Sequence, residues 1–342
     1  MDKAIAYLPN FESYDADNRG RAHQAAAVAF KAKTYAYWAT WDATQWNNVI
    51  EMVNQLENNY NRDLAPTFAE LFSSDLKDYW NAEYLWTIPS IGGALPGGTE
   101  FPGIILENKG WGKYNGWGQM KPSYDIYEEM AKDGKGNDRL VRSILEYNQE
   151  FPFFGETRKF WSTSDLEAGF MINKYMDAFK YSDPVGEGAV SANGDWPTVR
   201  VNFPIIRFAE MLLFRAEKAT ADINRIRLRS NLTPLTGTAT MKDLYHERRC
   251  ELAFEFTDHL FDLKRWNRSS NTDIKTLADK ELNAHPRIRR YEDRANPESA
   301  FTIIGYEDYT NKNAYQAHMM VFPYPSEEIT KSNGQLKQNE GY

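Results

Sequence analysis

A single cysteine, Cys250, in 342 residues excludes an internal disulfide framework. Histidines number five, so a histidine-rich metal centre has little to draw on. Cations are outnumbered, 40 Lys and Arg against 48 Asp and Glu, for a formal charge of −8. That balance excludes nucleic acid as the main partner, because phosphate binding needs an excess of Lys and Arg on one face. No apolar run approaches the roughly 18 residues of a membrane-spanning helix. The opening MDKAIAYLPNF has no apolar core of a secretion signal. The chain is therefore expected to be cytosolic, or a mature or shortened piece of something larger. GGALPGG lacks the Lys-Ser/Thr that follows a phosphate loop, and no Gly-x-Ser-x-Gly nucleophile elbow occurs. No motif calls for a cofactor.

Apolar residues make up 42% and charged residues 26%, as in a globular chain with a real core. Aromatics are abundant, with 10 Trp and 20 Tyr. In RAHQAAAVAFKAKTYAYW (21–38), Ala22, Ala25, Ala26, Ala29, Ala32 and Ala36 recur at helical spacing. This smooth stripe lets a second helix approach closely. Asp42 fits as an N-cap, and Trp46, Val49, Ile50, Val53 and Leu56 line one face beyond it. Helix, short turn, helix is the unit of helical-repeat proteins. A second pair is expected at 203–219 and 221–232. Their connection is very short, so residues are candidates for deletion near 218–221. EYLWTI (83–88) reads as a buried strand, and a helix is expected to restart near Ser123. Residues 181–198 and 268–320 read as irregular, and the end as one short strand and then coil. Trp38, Trp41, Trp46, Trp80, Trp86 and Trp266 sit on helical or strand patterns and read as core.

HERRC, from His246, is close to the H-E-x-x-H zinc signature. His246 and Cys250 share a helix face. A structural zinc site needs four protein ligands and a catalytic one usually three, and no other histidine stands at ligand spacing. The expectation is no metal, with a core-facing Cys. On a helix over 241–256, Glu247, Glu251 and Glu255 fall within one arc of about 100°. Like charges at that spacing repel, so they need cations from elsewhere. Arg225 and Arg229, also four apart, are the expected partners. Arg249 falls on the apolar side, where an unpaired charge is too costly. It is expected to be buried, with Asp262 as its carboxylate.

Nine of the 21 glycines fall between Gly92 and Gly118, in one long Gly/Pro-rich loop. Loops of that length are usually functional or disordered, and the aromatics here speak against disorder. Trp111, Tyr114, Asn115 and Trp117 stand within seven residues. Sugar rings lay their C–H faces flat on such aromatic rings, while their hydroxyls take amides. Trp196, beside Asn193 and Asp195, is a weaker second case. The structural alternative is that these rings cap the core. Carboxylate pairs for glycoside hydrolysis stay open as well, since 48 acids offer many combinations and no motif selects two. The basic run HPRIRRYEDR (285–294) reads as a solvated, salt-bridged segment.

ERRCELAFEFTDHLFDLKRW resembles the E-R-R-x-E-L-A-F-E-x-x-R-x-x-D-L-x-R-W segment of the SusD/RagB family of glycan-binding outer-membrane lipoproteins. Glu247, Arg248, Arg249, Glu251, Leu252, Ala253, Phe254, Glu255, Phe261, Asp262, Leu263, Arg265 and Trp266 agree. Asp258 to Leu260 depart from its basic-aromatic run. FPIIRFAEMLLFRAEKA, INRIRLRSNLTPL and VFPYPSEEITKSNGQLKQNEGY resemble three further family segments, in family order. GRAHQAAAVAFKAKTYAY fits its upstream repeat helix. The resemblance implies a mainly α fold: a tetratricopeptide-like helical-repeat scaffold with long irregular loops and a few short strands. It implies residues 1–82 as an N-terminally incomplete repeat part, with 83–342 packed on it as one globular unit. It further implies non-catalytic capture of oligosaccharide or polysaccharide at the extracellular face of the cell outer membrane. The implied partner is a SusC-like TonB-dependent transporter. Membrane attachment would run only through a lipidated N-terminus absent from this chain, which looks like the C-terminal two-thirds or so of a family member. The competing readings are a helical glycoside hydrolase or lyase, and a peptide-binding helical-repeat scaffold.

Overall fold

The alanine stripe folds against a second helix. In the computed structural model, α1 (Asp2–Tyr7) precedes α2 (Gln24–Trp38), whose Ala25, Ala29, Ala32 and Ala36 are at most 1% exposed. Small side chains let α3 (Trp46–Tyr60) come close, and it presents Val49, Val53 and Leu56, all fully buried. Each Val or Leu buried this way contributes about 1.5–3 kcal/mol. Asp42 caps the connecting 3-10 turn Ala43–Gln45 by accepting the Thr44 N–H. α3 stops at Asn61, whose φ of 50° is left-handed, and the Arg62 N–H returns to the Leu56 carbonyl at 3.0 Å.

The structure describes residues 1–75, 77–78, 80–90, 120–153, 156–159, 169–176, 189–190, 197–198, 201–217, 220–255, 259–293, 299–305 and 314–342. Two units are present: Met1–Thr257 with Pro286–Tyr306, and Asp258–His285 with Glu307–Tyr342. The first also holds α4 (Phe68–Leu71), α5 (Tyr124–Ala131), α6 (Asp138–Ser143), α7 (Phe208–Arg215), α8 (Ala221–Arg229) and α9 (Met241–Glu251). Its strands form two-stranded antiparallel pairs. β1 (Tyr84–Ile88) pairs with β8 (Phe203–Arg207), and β2 (Ile144–Glu146) with β5 (Phe170–Ile172). β3 (Glu150–Phe153) pairs with β4 (Glu156–Lys159), β6 (Ala189–Val190) with β7 (Pro197–Thr198), and β9 (Arg287–Tyr291) with β10 (Phe301–Gly305). α7 is the central helix: Phe208, Ala209, Met211, Leu212 and Leu213 are fully buried, and it packs on both α2 and α3. α5 starts where a helix was expected to restart, and Ser123 caps it by accepting the Ile126 N–H.

Several elements differ from the sequence expectation. The helix expected from 203 begins only at Phe208. Pro204 has no amide to donate and Ile205 and Ile206 are β-branched, so the stretch takes the edge that β1 offers. HPRIRRYEDR contributes β9, and its Arg289 is 6% exposed, with the guanidinium 4.4 Å from both the Phe170 and Phe301 ring centres. Trp46 and Trp266 are buried as expected, and Trp80 and Trp86 are half-buried. Trp38 and Trp41, by contrast, are 51% and 52% exposed. Trp38 is the last residue of α2, two positions from buried Ala36 and so on the opposite face, and Trp41 lies in the turn beyond the helix.

The second unit has α10 (His259–Asn267), α11 (Thr272–Asn283) and, near the end, α12 (Ser326–Lys331). Asn271 caps α11 by accepting the Asp273 and Ile274 N–H groups. The irregular stretch expected at 268–320 thus carries a 12-residue helix and the β9–β10 pair. The C-terminal end carries a helix where coil was expected. Among the described residues no helix is long and apolar enough to cross a membrane.

Candidate functional site

Trp111, Tyr114, Asn115, Trp117 and Trp196 lie outside the described residues. The segments flanking the glycine-rich loop are well anchored. On the entering side, Ser90 donates its N–H to Asn202 Oδ1 at 3.3 Å, two residues after β1. On the leaving side, the chain enters the capped start of α5.

Beneath α9, the glutamate stripe meets its cations. Arg207, at the end of β8, is 1% exposed and acts as the hub. It donates to Glu83 at 2.6 Å and Glu251 at 2.7 Å, and grips Glu255 with two nitrogens at 2.7 and 2.9 Å. Arg229 bridges the same Glu83 (2.9 Å) and Glu251. Arg139 spans Glu247 (2.5 Å) and Asp133 (3.1 Å), and Arg227 reaches the same two residues at 3.1 and 2.9 Å. Lys174 holds Glu255 at 2.6 Å. Burial alone would push the Glu251 carboxyl up, but Arg229, Arg207 and Arg139 outweigh it and hold it well below the usual range. Glu255 is likewise held down, by Arg207 and Lys174 against burial.

α9 is shorter than the 241–256 wheel assumed. It stops at Glu251, and Phe254 takes a left-handed φ of 64°. The last carbonyls of a helix have no partner within it. Here Lys174 Nζ donates to the Glu251 and Ala253 carbonyls at 3.0 and 2.8 Å, Arg207 to the Glu251 carbonyl at 2.8 Å, and the Tyr175 hydroxyl to Phe254 at 2.9 Å. Cations at a helix C-terminus also match its dipole. Glu255 reaches the cluster although it lies beyond the helix, so the wheel found it for an incorrect reason.

Of the two arginines expected to face the stripe, Arg229 does and Arg225 does not. Arg225 sits one turn earlier on α8, beside the end of α3, and bonds Glu57 and, at 2.9 Å, Asp63. Arg227 takes the place foreseen for it. Arg249 is half-buried, with its guanidinium 5.8 Å from the Tyr245 ring centre, whereas Arg248 is buried to 2% exposure over Phe214. Asp262 bonds Arg265 at 3.0 Å. Arg249 and Asp262 belong to different units, so their pairing stays an expectation. Glu83, Arg139, Lys174 and Arg207 escaped the sequence reading. The available signal was a lone charge inside an apolar run, as in FPIIRFAEMLLF around Arg207 and FMINKYM around Lys174.

The zinc question is answered by hydrogen bonds. His246 Nδ1 lies 2.7 Å from Glu129 and Nε2 3.0 Å from Asp133. A ring donating to two carboxylates is an imidazolium and has no lone pair for a metal. Burial pulls the imidazolium down, yet the bonds to Asp133 and Glu129 hold its pKa well above the ordinary histidine value. Among the described residues, no group of three His, Cys, Asp or Glu is placed to hold a metal ion. The expected result is that the His246 ring resonances stay flat between about pH 5 and 9 in an NMR titration, where a free histidine titrates near 6.5. A midpoint near neutrality would refute the double bond.

A cavity of about 300 Å³ lies by α4 and α6, lined by Phe68, Phe72, Val141, Leu145 and Phe151. Its Arg142 and Asp138 already pair at 2.6 Å, and its Lys174 belongs to the cluster.

The SusD family model matches residues 30–342. A SusD-like protein from Bacteroides fragilis is 20% identical at a TM-score of 0.72, over 100% of this chain and 69% of that one. Surface glycan-binding protein A from Bacteroides uniformis is 19% identical at 0.64, over 99% and 66%. A laminarin-binding SusD-like protein is 19% identical at 0.63, over 100% and 67%. The chain thus spans about two thirds of the length of these structures. A search of curated proteins found no match. With the family model covering nearly the whole chain, ERRCE cluster included, the chain belongs to the SusD family.

Proposed function

We propose that the protein captures oligosaccharide or polysaccharide at the extracellular face of the outer membrane and passes it, unaltered, to a SusC-like TonB-dependent transporter. The observation that carries this reading is family membership over residues 30–342. Two of the similar structures are named for glycan or laminarin binding. Residues 1–82 then serve as the helical support, and 83–342 carry the ligand face. Trp111, Tyr114, Asn115 and Trp117 on the glycine-rich loop are the proposed ligand contacts, with Trp196 as a lesser one.

The carboxyls of the α9 cluster do not fit hydrolysis. A glycosidase needs one carboxylic acid whose pKa is raised so that it can protonate the leaving group. In the α9 cluster Glu129, Asp133, Glu251 and Glu255 are all shifted down, by cations that lock them in the ionised form. Each is also paired with a cation.

Affinity electrophoresis through gels containing neutral or acidic polysaccharides tests the reading. At least one glycan is expected to retard the protein. Trp111→Ala or Trp117→Ala is expected to weaken that binding by about tenfold or more, since a central aromatic anchor is worth about 2 kcal/mol or more. Unchanged binding in both variants refutes the loop site. New reducing ends on incubation with the bound polysaccharide would instead establish the hydrolase or lyase.

A further inference from the structure

Trp38 and Trp41 are the two described tryptophans with half their surface in water. Each ring is braced: Trp38 stacks on Tyr35 at 6.2 Å and 17°, and Trp41 meets Tyr37 edge-on at 5.5 Å and 65°. Bracing removes rotamer freedom, so a ligand that lies on these rings does not have to order them. The turn that follows the rings carries a row of small polar side chains. Asp42 accepts from the Thr44 hydroxyl at 2.6 Å and from Gln45 Nε2 at 2.7 Å, and Asn48 Nδ2 donates to Gln45 Oε1 at 2.8 Å. The Gln45 and Asn48 bonds each use one amide N–H, and a side-chain amide carries two.

The charge pattern around them is one-sided. From Thr34 to Asn61 the sequence has no Lys, Arg or His, but six Asn and two Gln. Asn47, Asn54, Asn58 and Asn59 are exposed on α3. The nearby carboxylates, Asp42 and Glu51, repel anions. The cations beside this surface are already paired: Lys31, 5.7 Å from the Tyr35 ring centre, with Asp2, and Arg215, which bonds Asn54, with Glu57 and Asp222. A uronate-rich or sulfated glycan, a nucleic acid and an anionic lipid surface are therefore all disfavoured there. Flat aromatic faces beside neutral amides match an uncharged polyhydroxyl ligand. We propose that the α2–α3 turn is a second binding site, for neutral oligosaccharide, built from residues other than those of the glycine-rich loop. It rests on the glycan reading of the protein and extends it. Two sites on one chain would hold a long polysaccharide by avidity, the second event being intramolecular.

The test uses the full chain with laminarin and xyloglucan as neutral probes and polygalacturonate as the anionic one. Trp38→Ala/Trp41→Ala is expected to weaken retardation by the neutral polysaccharides roughly tenfold, with an unchanged melting temperature because both rings lie outside the core. Hydroxyl-radical footprinting reads the site directly. A tryptic digest releases Thr34 to Arg62 as one peptide, and the neutral glycans are expected to protect Trp38 and Trp41 in it. Polygalacturonate is expected to protect neither. Retardation equal to wild type in the double variant, with no protection of the peptide, overturns the second site and leaves the loop site standing. Failure of every glycan to retard the wild type overturns both. Self-association that disappears in the double variant, with glycan binding intact, assigns the surface to a second copy of the chain and also overturns the proposal.

Discussion

Arg207→Met lowers the free energy of unfolding by about 3–5 kcal/mol in a urea titration at pH 7. The arginine is 1% exposed and serves Glu83, Glu251 and Glu255 at once. Methionine fills much the same space, so packing changes little and the loss is electrostatic. Glu251 keeps Arg229, and Glu255 keeps Lys174, but Glu255 loses its bidentate partner. The α9 C-terminus also loses a donor to the Glu251 carbonyl. Adding Glu255→Gln to Arg207→Met is expected to recover part of the loss, because it removes the carboxylate left short of charge. The two substitutions are therefore non-additive. Glu255→Gln alone destabilises, since it leaves Arg207 and Lys174 crowded with less negative charge between them. A urea midpoint within error of wild type for Arg207→Met would show that the cluster contributes nothing net.

The second large effect is a steep acid limb. Burial pushes the Glu129 carboxyl up, but the hydrogen bonds from His246 and Lys132 win and hold it at about 2, against an ordinary 4.5. Asp133 is held lower still against the same burial, by His246 and Arg227. A carboxyl depressed in the folded state stabilises the fold above its unfolded pKa, and that contribution disappears as pH falls through the folded value. Glu129 alone is worth about 2 kcal/mol once its position at the rim of the cluster is discounted. His246 has the opposite sign. Its folded pKa is raised, so its contribution is complete below about 6.5 and declines progressively as pH rises above that value. The urea midpoint is thus expected to be highest near about pH 5 to 6.5, to decline above it and to fall steeply below about 4.5. His246→Gln/Glu129→Gln is expected to flatten part of that acid limb. A midpoint as high at pH 3 as at pH 7 would contradict the cluster's geometry.

How much of this was legible beforehand differs from element to element. The α2–α3 pair, the helix start near Ser123 and the Asp42 cap follow from local rules: periodicity, side-chain size and a polar atom two residues from an orphan amide. The glutamate stripe was legible as a problem, since like charges four apart demand cations. Its solution was only half legible. Arg229 was found on the nearest basic helix, but Arg139, Lys174 and Arg207 come from α6, from just after β5 and from the end of β8. No short-range pattern links them to α9. The same limit explains Trp38 and Trp41. Helical spacing shows which residues share a face, but not where the neighbouring helix stops covering it.

Composition and local pattern by themselves determined a helical, aromatic-rich chain with no disulfide framework and no visible nucleotide loop. The ERRCE stretch marked its family. Tertiary structure alone decided what that stretch is for, because ion pairing depends on through-space distances of about 3 Å between residues up to 112 positions apart. It turned HERRC from a candidate zinc site into the partner of buried arginines. It also brought two tryptophans out of the expected core and onto the surface.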